Sequence, residues 1–386
     1  MACEVGLSGL PLDYPNSGSA VYARQLARHL PAAAPDLNFR LFLRQAPADL
    51  DLCVAIERLS TPAAGFNRGA GAGARIDKLL WEIAALPLAS ARRGQTLLHS
   101  LYFAAPVLSA VPLVVTIHDV IPLVLKGYHR SRQSALYSRL MARTAKRVGA
   151  IITVSQHSKK DIVRVLGVPE DRVTVTYEAV DERFQPVPVS GERQILTERY
   201  DLPSRFLLYI GGAERRKNVE LLVWAWADVA PSMRSHEVKL VVVADFPVPD
   251  VLYPDIPGLI NHLRLKSDIV LLPKVNESDK PALYRSAMGL LFPSRYEGFG
   301  FTPLEAMACG TPVVSSGATS LPEVVGSGGW LLDPDDRRAW SEAMVRLVES
   351  DHDRMQLSQQ GIRNAARFSW QRTAEQTADV YRSMLA

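Results

Sequence analysis

The stretch RYEGFGFTPLEAMACG, residues 295–310, sets two carboxylates, Glu297 and Glu305, on either side of a glycine-rich turn. Thr302 suits an N-cap, Pro303 the first helical position and Gly310 a stop, so the spacing predicts a short helix opening at that turn. The start of such a helix offers unpaired N–H groups and a positive dipole end, which suit a phosphate. Gly298 and Gly300 let backbone approach a ligand closely, and a carboxylate on each side could hold hydroxyls of a sugar or ribose. The same letters admit a structural reading. Thr302-Pro303-Leu304-Glu305 is also a capping box with Glu305 returning to the N-cap amide, and Glu297 could be a solvated loop acid.

Three further places carry chemistry. Gly211, Gly212, Arg216 and Lys217 follow an apolar strand and precede a helix beginning near Asn218. Arg supplies a fork and Lys a point charge, a pair suited to a diphosphate, although a basic pair in such a loop is also common surface charge. His118 ends the run PLVVTIHD, where it is either structural or aimed at a ligand, and Asp119 fits a loop-orienting role. By contrast, the glycines at 69–73 in RGAGAGAR have no strand before them and read as a loop, not a dinucleotide site.

The elements that must position these residues alternate. Apolar strands are expected at 112–119, 150–155, 172–180, 205–212, 239–245, 268–273, 289–294, 311–316 and 328–333, with helical patterns between them. Residues 181–198, rich in proline and charge, read as a linker. The chain of 386 residues is too long for one ordinary core. The fold expectation is therefore α/β: two Rossmann-like doubly wound parallel-sheet domains, 1–187 and 188–366, facing a cleft.

Composition narrows the class. With 47% apolar and 22% charged residues the chain is that of a globular protein. The opening residues lack a basic region followed by a long apolar core, which argues against a cleaved signal peptide. Cys3, Cys53 and Cys309 have no metal-ligand spacing and cannot all pair, which fits a reducing cytoplasm. The net charge of +4 is uneven: 22 Lys and Arg against 15 Asp and Glu over residues 1–187, and 22 against 25 over the remainder. Nine Lys or Arg and no acid lie between Val120 and Lys160, a solvated basic face or a peripheral contact with anionic lipid at the inner face of the cell membrane. No aromatic residues interleave these charges in the way nucleic-acid stacking requires, so nucleic acid is not an expected partner.

The paired glutamates around GFGFTPL, followed by EAMACGTPVV, resemble the motif of retaining glycosyltransferase family 4. The similarity runs from about Asn16 to the C-terminus through HDVIP, TVSQHSKKDI, RRKN and LPEVVGSGGWLLDPDD, and FSWQRTAEQTADVYRSML resembles the family's last helix, which implies that 367–386 is a C-terminal helix crossing back to the N-terminal domain. It implies the GT-B fold and metal-independent transfer of a hexose, with retention, from a nucleoside-diphosphate sugar (UDP or GDP foremost) to a glycan, lipid-linked or small-molecule hydroxyl. No cofactor and no metal are implied beyond that co-substrate. By resemblance, Arg216 and Lys217 stabilise the departing diphosphate beside Gly211 and Gly212, and Gly18 lies near the phosphates, although Ser17-Gly18-Ser19 stands where relatives often have a double glycine. Glu305 would bind ribose hydroxyls, Glu297 the donor sugar, and His118 would face the reaction. Gly298, Phe299, Gly300, Phe301 and Thr302 would line the donor, and Val275 beside Lys274 would meet the base. Rival readings are a sugar-nucleotide epimerase or phosphorylase on the same fold, a non-catalytic sugar-nucleotide binder, and a lipid-surface adaptor.

Overall fold

A computed structural model gives the fold and describes residues 3–15, 17–45, 52, 54–61, 72–103, 106, 109–125, 127–128 and 132–386. The chain separates into two compact units, residues 1–178 with 369–386, and residues 179–368.

In the first unit, β1 (Cys3–Ser8), β2 (Leu37–Leu43), β3 (Ala55–Arg58), β4 (Leu97–Ser100), β5 (Leu113–Thr116), β6 (Ala150–Thr153) and β7 (Val173–Val175) form one sheet. Its order is β3-β2-β1-β4-β5-β6-β7, and every pairing is parallel. In the second, β8 (Phe206–Ile210), β9 (Lys239–Val243), β10 (Ile269–Leu272), β11 (Gly289–Phe292), β12 (Val313–Ser316) and β13 (Trp330–Leu332) run β10-β9-β8-β11-β12-β13, again parallel. Helices cover both faces, so the central strands are apolar without alternation: every residue of β8 and of β11 is buried. In each sheet the order reverses beside the first strand, at β1/β4 and at β8/β11. Ligands of doubly wound sheets bind beyond the carboxyl ends of strands at that point.

All nine strands expected from the sequence are present, trimmed at their ends, and β1 to β4 are added to them. The expected linker needs correction. Glu192–Tyr200 is a helix, tied to the second unit by a forked Arg285–Glu192 pair (2.8 and 2.5 Å) and by Arg199–Asp279 at 2.6 Å. Its nonpolar content is low because one residue, Leu196, supplies its buried contact. Residues 69–71 of the glycine run, Cys53, and Arg130 of the basic stretch between Val120 and Lys160 lie outside the described residues; a helix begins at Ala72.

The helix Trp370–Leu385 belongs to the first unit and packs on the helix Gly18–Ala33. Tyr381 meets the buried His99 of β4 at 2.6 Å, and Arg382 pairs with Asp36 at 2.7 Å. This is the expected crossing of the last helix onto the first domain.

Candidate functional site

In the second unit the site begins where β8 ends. Gly211 and Gly212 leave the strand, and the Tyr209 hydroxyl donates to the Gly212 carbonyl at 2.5 Å. A single 3-10 turn, Arg215–Lys217, follows and ends at Asn218, whose φ of +60° marks a left-handed residue. Asparagine tolerates that backbone, and here the side chain also works: Nδ2 donates to the carbonyls of Pro293 (3.2 Å) and Pro334 (2.8 Å). The Arg295 amide donates to the Arg216 carbonyl at 2.7 Å. The loop after β8 is thereby stitched to the loop after β11.

That stitching brings three charged side chains together. Lys217 Nζ is 2.7 Å from Glu297 Oε1, and Arg216 Nη1 is 3.1 Å from Glu297 Oε2. Arg216 Nη1 also donates to the Tyr296 carbonyl at 3.1 Å, and Glu214 stands 3.6 Å from the same guanidinium. The three side chains are only 16%, 13% and 11% exposed, so the cluster lies largely out of water. Burial works against the Glu297 carboxylate, yet Lys217 and Arg216 together outweigh it and hold its pKa below the usual glutamate value. Burial pulls Lys217 down, opposed by Glu297. The main chain at Glu297 is equally fixed: its amide donates to Thr319 Oγ1 at 3.0 Å, while Ser320 Oγ donates to the carbonyls of Glu297 (3.0 Å) and Phe299 (2.6 Å).

The next helix corrects the sequence reading. It runs Phe301–Ala308 with Gly300 as its N-cap and no side-chain cap. Thr302 and Pro303 therefore sit inside its first turn, and the capping box does not form. The cause is Gly300, whose φ of +132° turns the chain two residues early, where an added Cβ would meet Leu321 Cδ2 at 3.0 Å. Glu305 is thereby released from capping and accepts a 2.7 Å hydrogen bond from the buried Tyr284 hydroxyl. Burial raises its pKa, with Lys280 and the Tyr284 bond pulling the other way. Phe299 is buried, edge-on to Phe301 and Phe368. Val275, beyond β10, is also buried, and the next amide, Asn276, donates to Tyr200 Oη at 3.0 Å.

In the first unit, Ser17 caps the helix Gly18–Ala33 by accepting from the Ala20 amide, and Gly18 is its first residue. His118 follows β5; its Nδ1 is 3.2 Å from Glu178 Oε1, and its ring lies edge-on to Tyr22 at 4.9 Å between centroids. Asp119 Oδ1 accepts from the Ile121 amide at 2.9 Å, the loop-orienting role expected of it.

A family model described as Glycosyltransferase Family 4 matches residues 16–184, and one described as Glycosyl transferases group 1 matches residues 204–350. The chain is 30% identical to the O-antigen chain mannosyltransferase B of Escherichia coli, across 96% of this chain and 97% of that one. The chain belongs to glycosyltransferase family 4. It is a hexosyltransferase, and its two Rossmann-like units are those of a GT-B protein. Sucrose-phosphate synthase of Thermosynechococcus elongatus superposes with a TM-score of 0.75 at 22% identity, covering 99% of this chain and 98% of that one. The Anabaena protein HepE, solved in complex with UDP and glucose, gives 0.72 at 18% identity, covering 99% and 100%.

Within this family-4 chain the structure brings Arg216, Lys217 and Glu297 into one cluster and sets Glu305 on the neighbouring helix. Gly18 and His118 fall in the first unit, the other candidates in the second. Residues that sequence reasoning passed over are Glu178, Tyr284, Thr319 and Ser320, each of which holds a candidate residue in place. Glu178, in TYEAVD directly after β7, was the one with a readable signal: an acid at a strand end. Among the described residues no helix is long and apolar enough to cross a membrane.

Proposed function

We propose that the chain transfers a hexose, with retention at the anomeric carbon and without a metal ion, from a nucleoside-diphosphate sugar to a hydroxyl of a glycan or lipid-linked glycan. The observation that carries this is the buried Arg216–Lys217–Glu297 cluster at the carboxyl ends of β8 and β11, where the strand order reverses. In the reaction the bond from the anomeric carbon to the phosphate oxygen breaks and the diphosphate leaves with the bonding pair, while the acceptor oxygen bonds the anomeric carbon and its proton leaves with the diphosphate. Arg216 and Lys217 take up that developing charge, in a site dry enough for the interaction to count. Glu297, ionised, accepts hydrogen bonds from donor-sugar hydroxyls, and Glu305 does so from the ribose. The first turn of the helix Phe301–Ala308 supports the phosphates with its N–H groups. Backbone at Gly298, Phe299 and Gly300 and the side of Phe301 and Thr302 line the sugar, and Val275 meets the base; in the first unit Gly18 and His118 are the candidates for substrate contact.

Mannose is the first hexose to try, since the Escherichia coli relative is named a mannosyltransferase. That relative's name also favours a glycan acceptor, and the UDP-and-glucose complex of HepE favours a nucleotide-sugar donor. A thermal-shift panel of UDP, GDP, ADP, dTDP and their sugar conjugates, with and without EDTA, tests the reading. A ligand at about a hundred times its dissociation constant stabilises the fold by ~2.7 kcal/mol. One nucleotide standing out irrespective of EDTA, followed by an axial-to-axial product in NMR with its mannose conjugate, is the expected result; no shift with any nucleotide refutes it. The exposed Arg139 and Arg143 of the helix Arg132–Ala145 would give peripheral contact with anionic lipid. Vesicles containing phosphatidylglycerol should sediment the protein, and Arg139→Gln with Arg143→Gln should reduce that; equal sedimentation would count against it.

A further inference from the structure

Glu178 is a buried acid that the transfer reading leaves without a task. Its side chain is 2% exposed, and the charged partner it has is His118, with Oε1 at 3.2 Å from Nδ1. A buried carboxylate is costly unless a cation or a donor answers it, so this pair constrains both members. His118 itself is fixed from several sides. Its carbonyl accepts from Ser158 Oγ at 2.9 Å, and the Ile117 carbonyl before it accepts from Thr153 Oγ1 at 2.7 Å. Tyr22 packs edge-on against the ring, with its own hydroxyl 3.1 Å from Thr116 Oγ1.

Burial raises the Glu178 carboxyl, and the bond to His118 and the charge of that ring oppose the rise. Glu178, Asp119 and the Leu101 carbonyl favour the protonated ring against burial, and the pKa of His118 ends above its ordinary value. His99, behind it on β4, is held neutral, burial having pushed it down to about 3. Tyr22 stays a neutral phenol because burial raises it. The last helix braces the acid from behind: Thr373 Oγ1 donates at 2.6 Å to the carbonyl of Tyr177, one residue before Glu178. Trp370 of the same helix packs at 6.2 Å on Tyr22.

We propose that Glu178 is a positioning residue for the transfer reaction: its carboxylate, 3.2 Å from Nδ1, fixes the orientation and the protonation state of the His118 ring. This rests on the reading above in which His118 lines the reaction face. Sequence places the two residues sixty positions apart, on segments that follow β5 and β7.

The test uses the full chain labelled with 13C-histidine, as wild type and as Glu178→Gln. The His118 Cε1–Hε1 peak is assigned by its loss in His118→Asn. In the wild type its titration midpoint should lie above the ordinary value of about 6.5. Glu178→Gln should lower the midpoint by at least about one pH unit, and turnover should fall about tenfold or more near pH 7 with donor KM within about twofold. The alkaline limb of the kcat–pH profile should move to lower pH with it, since the imidazolium is then lost sooner. Glu178→Asp keeps the charge and should recover part of the turnover with a raised midpoint, which also serves where the Gln variant does not fold. The same midpoint in wild type and Glu178→Gln, or an unchanged kcat–pH profile in a wild type that turns over, overturns the proposal. A wild type inactive with every donor removes the transfer reading instead, while the titration still decides whether Glu178 governs His118.

Discussion

Replacing Glu297 by glutamine probes the cluster directly, because it leaves shape nearly intact, removes one charge and turns one of the two accepting oxygens into a donor. The wild-type cluster holds two cations, Arg216 and Lys217, against two carboxylates, Glu214 and Glu297. The variant keeps both cations and one carboxylate, in a setting where the side chains are less than a fifth exposed. Removing one partner of a buried pair costs about 3–5 kcal/mol, and the one hydrogen bond that the glutamine oxygen still accepts argues for about 3. For a unit of this size that is about 6–12 °C in melting temperature. Glu297 has a depressed pKa, so its contribution is present above the unfolded glutamate value and is lost as pH falls through the folded one. The gap between wild type and variant should therefore be full near neutrality and close in acid.

The same excess charge makes an opposite prediction for anions. A unit charge at about 6 Å with an effective dielectric of 20 is worth at most about 3 kcal/mol; solvent and relaxation leave about 1, or roughly fivefold in affinity. Inorganic pyrophosphate should bind the variant about fivefold more tightly by calorimetry, and should stabilise it more in a thermal scan. Sugar transfer should nevertheless collapse, since the carboxylate that holds the donor sugar is gone. Equal melting temperatures across the pH range, or pyrophosphate binding no tighter than in wild type, would refute the reasoning.

Tyr284→Phe removes the donor to Glu305, a bond to a charged group worth about 1.5–3 kcal/mol. Nucleoside-diphosphate affinity should fall roughly tenfold, and its acid limb should move to higher pH because Glu305 loses a group that lowered its pKa; identical affinity at every pH would show that Glu305 does not touch the ribose. His99, depressed to about 3 in the folded chain, protonates in the unfolded chain near 6.5. Its contribution is full above about pH 6.5, and about 2 kcal/mol should be lost by pH ~5, since the unfolded state then binds the extra proton. Denaturant titrations of wild type and His99→Gln should show a shallower pH dependence in the variant, and parallel curves would argue against a neutral buried imidazole.

By itself the sequence determined the alternation of apolar strands with helices, hence two doubly wound sheets, and the glutamate and Arg-Lys motifs that mark the family. These are legible because burial on both faces writes continuous apolar runs such as FLLYI and LVVV, and because βα loops carry their ligand groups within a few residues. The strands β1 to β4 were harder to read: β1 contains Glu4, β4 contains His99, and β3 lies at the sheet edge with little buried. Their polar positions make sense only once partners are known, as with His99 and Tyr381, 282 residues apart.

Tertiary structure alone decided what the site acids do. Thr302-Pro303-Leu304-Glu305 has every local mark of a capping box, yet Gly300 starts the helix two residues sooner and frees Glu305 for Tyr284. Glu297 is no solvated loop acid, because Asn218 ties two loops together and sets Arg216 and Lys217 against it. Glu178 finds His118 only through the order β5-β6-β7. Local spacing fixes which residues a loop can offer. Whether a buried charge is answered depends on chains far apart in sequence meeting at one sheet end, and that is a property of the packed sheet.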